Sequence, residues 1–151
     1  VTIMEKVRIY EIPECKMVSS KCGMFGEPAL DDFDNWFSSL PVTTFPQDFL
    51  WFDKNQGGFI WYYIYHEALK VPDTFDIIDF PGGLYAVATG IDGESNDEVM
   101  NSIRTFIQEK SCFKEDISRP QLGNIITPKS AQQALGYSQM DYYVPIKTIL
   151  K

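Results

Sequence analysis

The 151-residue chain carries 13 Lys and Arg against 21 Asp and Glu, a net charge of −8, and 44% of it is hydrophobic. That balance excludes wholesale disorder and offers no basic footprint for a phosphate backbone, so no direct nucleic-acid contact is expected. No apolar run approaches the roughly 20 residues of a membrane helix, no secretory signal is visible in the sequence, an excised one being left open by the start at Val1, and one domain spanning 1–151 is expected.

The predicted elements begin with a strand, Val7-Arg-Ile-Tyr-Glu-Ile-Pro13, followed by an extended run from Cys15 to Cys22. A helix is predicted over 28–40, where Phe33, Trp36, Phe37 and Leu40 form one apolar stripe between Pro28 and Pro41. The runs 49–52 and 59–65 flank Asn55-Gln-Gly57-Gly58 and predict a hairpin. A second series then follows: a strand over 75–81, an extended run over 84–90, and a helix. That helix opens with the capping-box spacing Ser95–Glu98 and continues with the stripe Val99, Ile103, Phe106 and Ile107. Asp141-Tyr-Tyr-Val-Pro145 closes the chain as a strand, paired with 124–127 after a longer connection.

The second series repeats the first. Val7–Pro13 aligns with Phe75–Pro81 at an offset of 68, matching apolar positions, an acid and the proline, and the closing strands align at an offset of 80. The chain is therefore predicted as β-α-β-β twice, over about 5–70 and about 73–149. One half of this size is marginal alone. The predicted fold is α+β: an antiparallel sheet with two helices on one face and a central cleft on a pseudo-two-fold axis.

Strand alternation sorts the candidate site. Ile60, Tyr62 and Ile64 share one face, and the offset of 80 equates it with Tyr142, Val144 and Ile146; these residues are expected to meet the helices. The opposite face then carries Trp61, Tyr63, Tyr65, Asp141 and Tyr143, with Trp51 added from the hairpin partner. Aromatic rings around a carboxylate suit flat, apolar, including cationic, ligands. The alternative for the rings is a second core layer, and for Asp141 a solvated acid.

Cys15, Cys22 and Cys112 are an odd number and His66 is the only histidine. Neither a disulfide framework, a zinc site nor a Ser-His-Asp triad is indicated. Buried thiols in a reducing cytoplasm are expected, with no metal or cofactor. The start at Val1 suggests a mature or excised fragment.

The stretches Val7–Pro13, Phe33-Asp-Asn-Trp36-Phe37, Gly58–Tyr63, Phe80-Pro-Gly82-Gly83-Leu-Tyr85-Ala-Val87 and Asp141–Ile146, in this order and spacing, resemble the GyrI-like effector-binding domains of AraC-type and multidrug-responsive regulators. The resemblance implies two β-α-β-β modules around a ligand cleft, attached in many members to a DNA-binding domain. The cleft acid of the family is usually Glu, and the matching position here is Asp141. A small-molecule effector-binding domain of a cytoplasmic transcription regulator is the first expectation, its DNA-binding domain outside this fragment, with binding ahead of catalysis. The alternatives are a stand-alone GyrI-like hydrolase of electrophilic small molecules, using the acid with Tyr63 or Tyr143, and a protein-interaction module acting through its acidic surface.

Overall fold

The computed structural model describes residues 6–149; residues 1–5, which include the expected start of the first repeat, and residues 150 and 151 lie outside it. In chain order, the first half supplies β1 (Arg8–Ile12), β2 (Cys15–Ser19), α1 (Pro28–Ser38), β3 (Asp48–Asp53) and β4 (Gly58–Ile64). The second supplies β5 (Asp76–Phe80), β6 (Gly83–Ile91), α2 (Asp97–Lys110), β7 (Phe113–Glu115), β8 (Leu122–Ile125), α3 (Lys129–Leu135) and β9 (Gln139–Thr148). The β-α-β-β pattern is present in both, in an α+β fold of antiparallel strands. Four differences stand out. The connection before the last strand folds its middle into α3, and β7 adds a short strand against β9. The capping box does not form: Asn96 is the N-cap of α2, and Ser95 Oγ accepts only the Asp97 N–H, at 3.4 Å. The hairpin partner of β9 begins at Leu122, two residues before the expected start at Asn124.

The chain forms two compact units. The first is Glu14–Pro81; the second joins the residues up to Pro13 with those from Gly82 onward. Within the first, β4 lies between β3 and β2, and β5 edges β2. Within the second, β9 lies between β6 and β8, and β1 edges β6. Each repeat's opening strand thus serves the other repeat's sheet, and the chain crosses over at the two matched prolines, Pro13 and Pro81. Proline has no N–H to give a ladder, so it marks a strand end well.

Helices α1 and α2 each cover one face of the strands of their own unit. Phe33, on α1, is fully buried among Val18, Tyr63 and Phe75. Ile103 and Ile107, on α2, pack on Ala86, Ala88, Val144 and Ile146. Full burial of such side chains is worth roughly 1.5–3 kcal/mol each.

Candidate functional site

The sheet register corrects the repeat. Val18 pairs with Tyr63, and Ala86 pairs with Val144. Val18 and Ala86 stand 68 residues apart, so their partners are equivalent too, and Tyr63 to Val144 is 81 residues rather than 80. A one-residue slip moves every side chain to the other face. Trp61 and Tyr63 therefore lie on the helix side of the first unit, not on the opposite face as expected. Phe33 and Phe37 both stand 5.3 Å from the Trp61 ring, and Trp36 is 5.9 Å from Tyr63. Tyr65 packs against the same cluster. These three rings form an aromatic core beneath α1, the alternative that alternation had left open. Trp61 is fixed there by an indole N–H donated to Asp48 Oδ2 at 3.0 Å.

Trp51 does lie on the helix-free face of the first unit, since it opposes Ile60 and stands 6.1 Å from Tyr62. Its indole N–H is buried without a full hydrogen bond among the described residues. Burial pushes the Tyr62 phenol up, against the opposing effect of the nearby Trp51.

The assignment for β9 holds. Tyr142, Val144 and Ile146 face α2, and Asp141 and Tyr143 face away from it. Antiparallel pairing then brings residues of four strands onto that helix-free face. Thr89 and Asn124 both oppose Asp141; Val87 and Leu122 oppose Tyr143; Arg8 opposes Val87, and Tyr10 opposes Tyr85. Asp141 is 4% exposed. An isolated carboxylate would not remain charged at such a place without partners, and two are present. Arg8 Nη2 donates to Asp141 Oδ1 at 2.8 Å, and the Thr89 hydroxyl donates to the same oxygen at 2.6 Å. Asp141 is thus neither a solvated acid nor an unpaired countercharge: it carries an internal cation.

Arg8 also donates to the Tyr10 hydroxyl at 2.6 Å. Burial disfavours its charge, but the Asp141 and Tyr10 interactions outweigh that and hold its pKa above the ordinary value. Tyr143 sits between Tyr10, at 6.2 Å, and Tyr85, at 6.0 Å. Burial, and then the Asp141 charge, push its phenol up to about 12, while a hydrogen bond from Asn124 acts the other way. Tyr143 is therefore a neutral phenol under ordinary conditions.

Behind Tyr85 stands Arg119, its guanidinium 4.8 Å from the ring centroid. It donates to the carbonyls of Gly82, Leu84 and Ile146 and pairs with Asp116 at 2.9 Å. Hydrogen bonds from Ser118 and Arg119 hold the Asp116 carboxyl well below the usual range. The Gly82-Gly83 pair makes room for this strut: Gly83 has φ +130°, and a Cβ there would meet Arg119 Nη1 at 2.5 Å.

Arg8, Thr89 and Asn124 were not legible as site residues. Only the cross-over of β1, invisible to local pattern, puts Arg8 beside Asp141. None of the three cysteines is buried, contrary to expectation; Cys112 is exposed. Among the described residues no cluster of three or more His, Cys, Asp or Glu side chains is placed to hold a metal ion, and no helix is long and apolar enough to cross a membrane.

No protein-family model and no curated protein sequence matches the chain. Solved structures do. The EcmrR C-terminal domain aligns at a TM-score of 0.59 and 13% identity, over 97% of this chain and 100% of that one. The chain shares its fold. EcmrR in complex with DNA aligns at 0.65 and 13% identity, over 95% of this chain, which spans only 57% of the EcmrR chain there. A hydrolase from Listeria innocua gives 0.68 at 8% identity, covering 95% and 92% of the two chains. SAV2435 bound to tetraphenylphosphonium gives 0.53 at 11% identity, covering 95% and 94%. At such identities the likeness establishes the fold alone. That fold is consistent with the GyrI-like family the sequence resembles, and it houses regulators and hydrolases alike.

Proposed function

We propose that this chain is a small-molecule binding domain for aromatic ligands, cationic ones included, acting as the effector-binding domain of a cytoplasmic transcription regulator whose DNA-binding segment lies elsewhere in a longer chain. The observation that carries it is the buried Asp141 carboxylate on a tyrosine-lined face that no helix covers. Tyr10 and Tyr143 supply ring area and cation–π attraction. Two likenesses support the reading: the EcmrR C-terminal domain shares the fold, and SAV2435, of similar fold, takes the aromatic cation tetraphenylphosphonium. The acidic net charge of −8 suits a domain that leaves DNA contact to another.

The test is a pair of fluorescence titrations with a cationic and a neutral dye of similar shape. Asp141→Asn leaves Arg8 uncompensated, so the cationic dye is expected to lose roughly tenfold in affinity, about 1.4 kcal/mol, and the neutral dye much less. Equal losses, or none, would remove Asp141 from the site. Failure of both dyes to bind the wild-type chain would overturn the binding function itself.

A hydrolytic role is the second reading, favoured by the Listeria hydrolase fold and by Tyr143 as a neutral phenol beside a carboxylate. Such a phenol is able to donate a proton or hydrogen bond to a leaving group. Turnover of an activated ester or epoxide, abolished in Tyr143→Phe, is what this reading requires.

A further inference from the structure

Asp141 uses only one of its oxygens. Arg8 and Thr89 both donate to Oδ1, and no described residue donates to Oδ2. Directly across the ladder, on the same face, is Asn124. Residues paired in this way have Cβ atoms about 4.5–5.5 Å apart. Asn124 is 4% exposed, and its Oδ1 is buried with no hydrogen-bond partner among the described residues. The Asn124 amide also acts on the Tyr143 phenol, lowering its pKa against the effect of burial. A buried acceptor without a donor costs the desolvation of that group, about 1–3 kcal/mol. A ligand that brings a donor recovers the loss.

We propose that Asn124 Oδ1 and Asp141 Oδ2 form an acceptor pair that selects ligands by an N–H donor, so that the site takes aromatic amines, amidinium groups or protonated ring nitrogens in preference to permanent cations lacking N–H. The proposal rests on the binding function stated above and names its ligand class. Its physical basis is charge balance. Arg8 already neutralises Asp141, so the face presents little net charge to a cation. What remains is directional: two acceptors beside the rings of Tyr10 and Tyr143. Arg8 need not move, because it holds the other oxygen. Asn124, in contact with the ligand, is a specificity-determining residue. Its equivalent in the first unit is Trp51, a donor, so only one of the two faces has this pair.

The experiment compares two fluorescent cations of one ring system and equal charge, an aminoacridinium and N-methylacridinium, on the whole chain. The wild type is expected to bind the aminoacridinium roughly tenfold or more tightly than the N-methyl dye, the scale of one charge-assisted hydrogen bond. Asn124→Leu should bring that ratio to within about twofold, with the N-methyl dye nearly unaffected. Asp141→Asn keeps an acceptor but leaves Arg8 unbalanced, so it should weaken both dyes. Equal affinities in the wild type, or a ratio unchanged in Asn124→Leu, would overturn the acceptor pair while leaving the binding function standing. No binding of either dye would overturn both. The wild-type ratio needs no variant to fold, and circular dichroism of Asn124→Leu shows whether its ratio belongs to a folded chain.

Discussion

The two helix-free faces are built on the same scaffold and carry opposite chemistry. At the corrected offsets, Asp141 corresponds to Ile60, Tyr143 to Tyr62 and Asn124 to Trp51. Arg8 corresponds to Asp76, and Thr89 to Lys21, and in both units these two positions touch. In the second unit Arg8 Nη2 meets Thr89 Oγ1 at 3.0 Å; in the first, Lys21 Nζ meets Asp76 Oδ2 at 2.8 Å. The difference lies in the third member. Asp141 is buried and draws the half-exposed Arg8 into an ion pair, whereas Ile60 leaves the Lys21–Asp76 pair at the surface, with both side chains more than half exposed. Duplication supplied two equivalent faces, and a single acid on the central strand turned one of them into a polar site lined with rings. The other keeps Ile60 at the matching central position, with one buried indole N–H beside it and an exposed ion pair at the edge.

That contrast is open to attack at several strengths. The largest effects are structural. Phe33→Ala should cost about 3–5 kcal/mol in urea denaturation, because the ring is fully buried beneath α1; a loss below about 0.5 kcal/mol would place α1 wrongly. Arg119→Met, at a side chain only 9% exposed, should cost somewhat less, about 1–3 kcal/mol, because Asp116 and the carbonyls of Gly82, Leu84 and Ile146 lose their donor. Next in size is a pH effect. The Tyr143 phenol is raised in the folded state, so its contribution is fully present below about pH 10, where an unfolded tyrosine titrates, and is lost as the pH rises towards about 12. Tyr143→Phe should flatten the alkaline fall in the urea midpoint; an unchanged slope would show that the phenol is not protected. Asp116 has the opposite sign: its lowered pKa gives stability at neutral pH that is lost on acidification below about pH 4, and Asp116→Asn should remove that part of the acid slope. The smallest effect is Lys21→Met, within about 1 kcal/mol for an exposed pair. A larger loss would mean that the two faces are less different than their exposure suggests.

Much of the scaffold was legible because it is written locally. The stripe of Phe33, Trp36 and Phe37, the Asn55–Gly58 turn and the matched prolines each report on a few consecutive residues, and each corresponds to an element found. Pairing partners are not local. Nothing in Arg8-Ile-Tyr-Glu-Ile12 says that it edges the other repeat's sheet, and without that knowledge Arg8 has no reason to meet Asp141. The slip of one residue has a different cause. Trp61-Tyr62-Tyr63 is aromatic on both faces, so alternation gives no parity, and matching its two tyrosines to Tyr142 and Tyr143 selects the wrong register. The ladders decide it: Tyr62 is the true equivalent of Tyr143, while Tyr63 corresponds to the core residue Val144. Asn124 was placed on a strand by its sequence, but its unsatisfied carbonyl is a property of packing alone.

The central claim, that ligand chemistry resides on the second unit's helix-free face, has one direct test. An aminoacridinium titration would be run on the wild type, on Asp141→Asn and on Lys21→Met, the last altering the equivalent polar pair of the first unit. A roughly tenfold or greater loss in Asp141→Asn, with Lys21→Met within about twofold of wild type, is the predicted result. Equal losses in the two variants, or a loss confined to Lys21→Met, would contradict it.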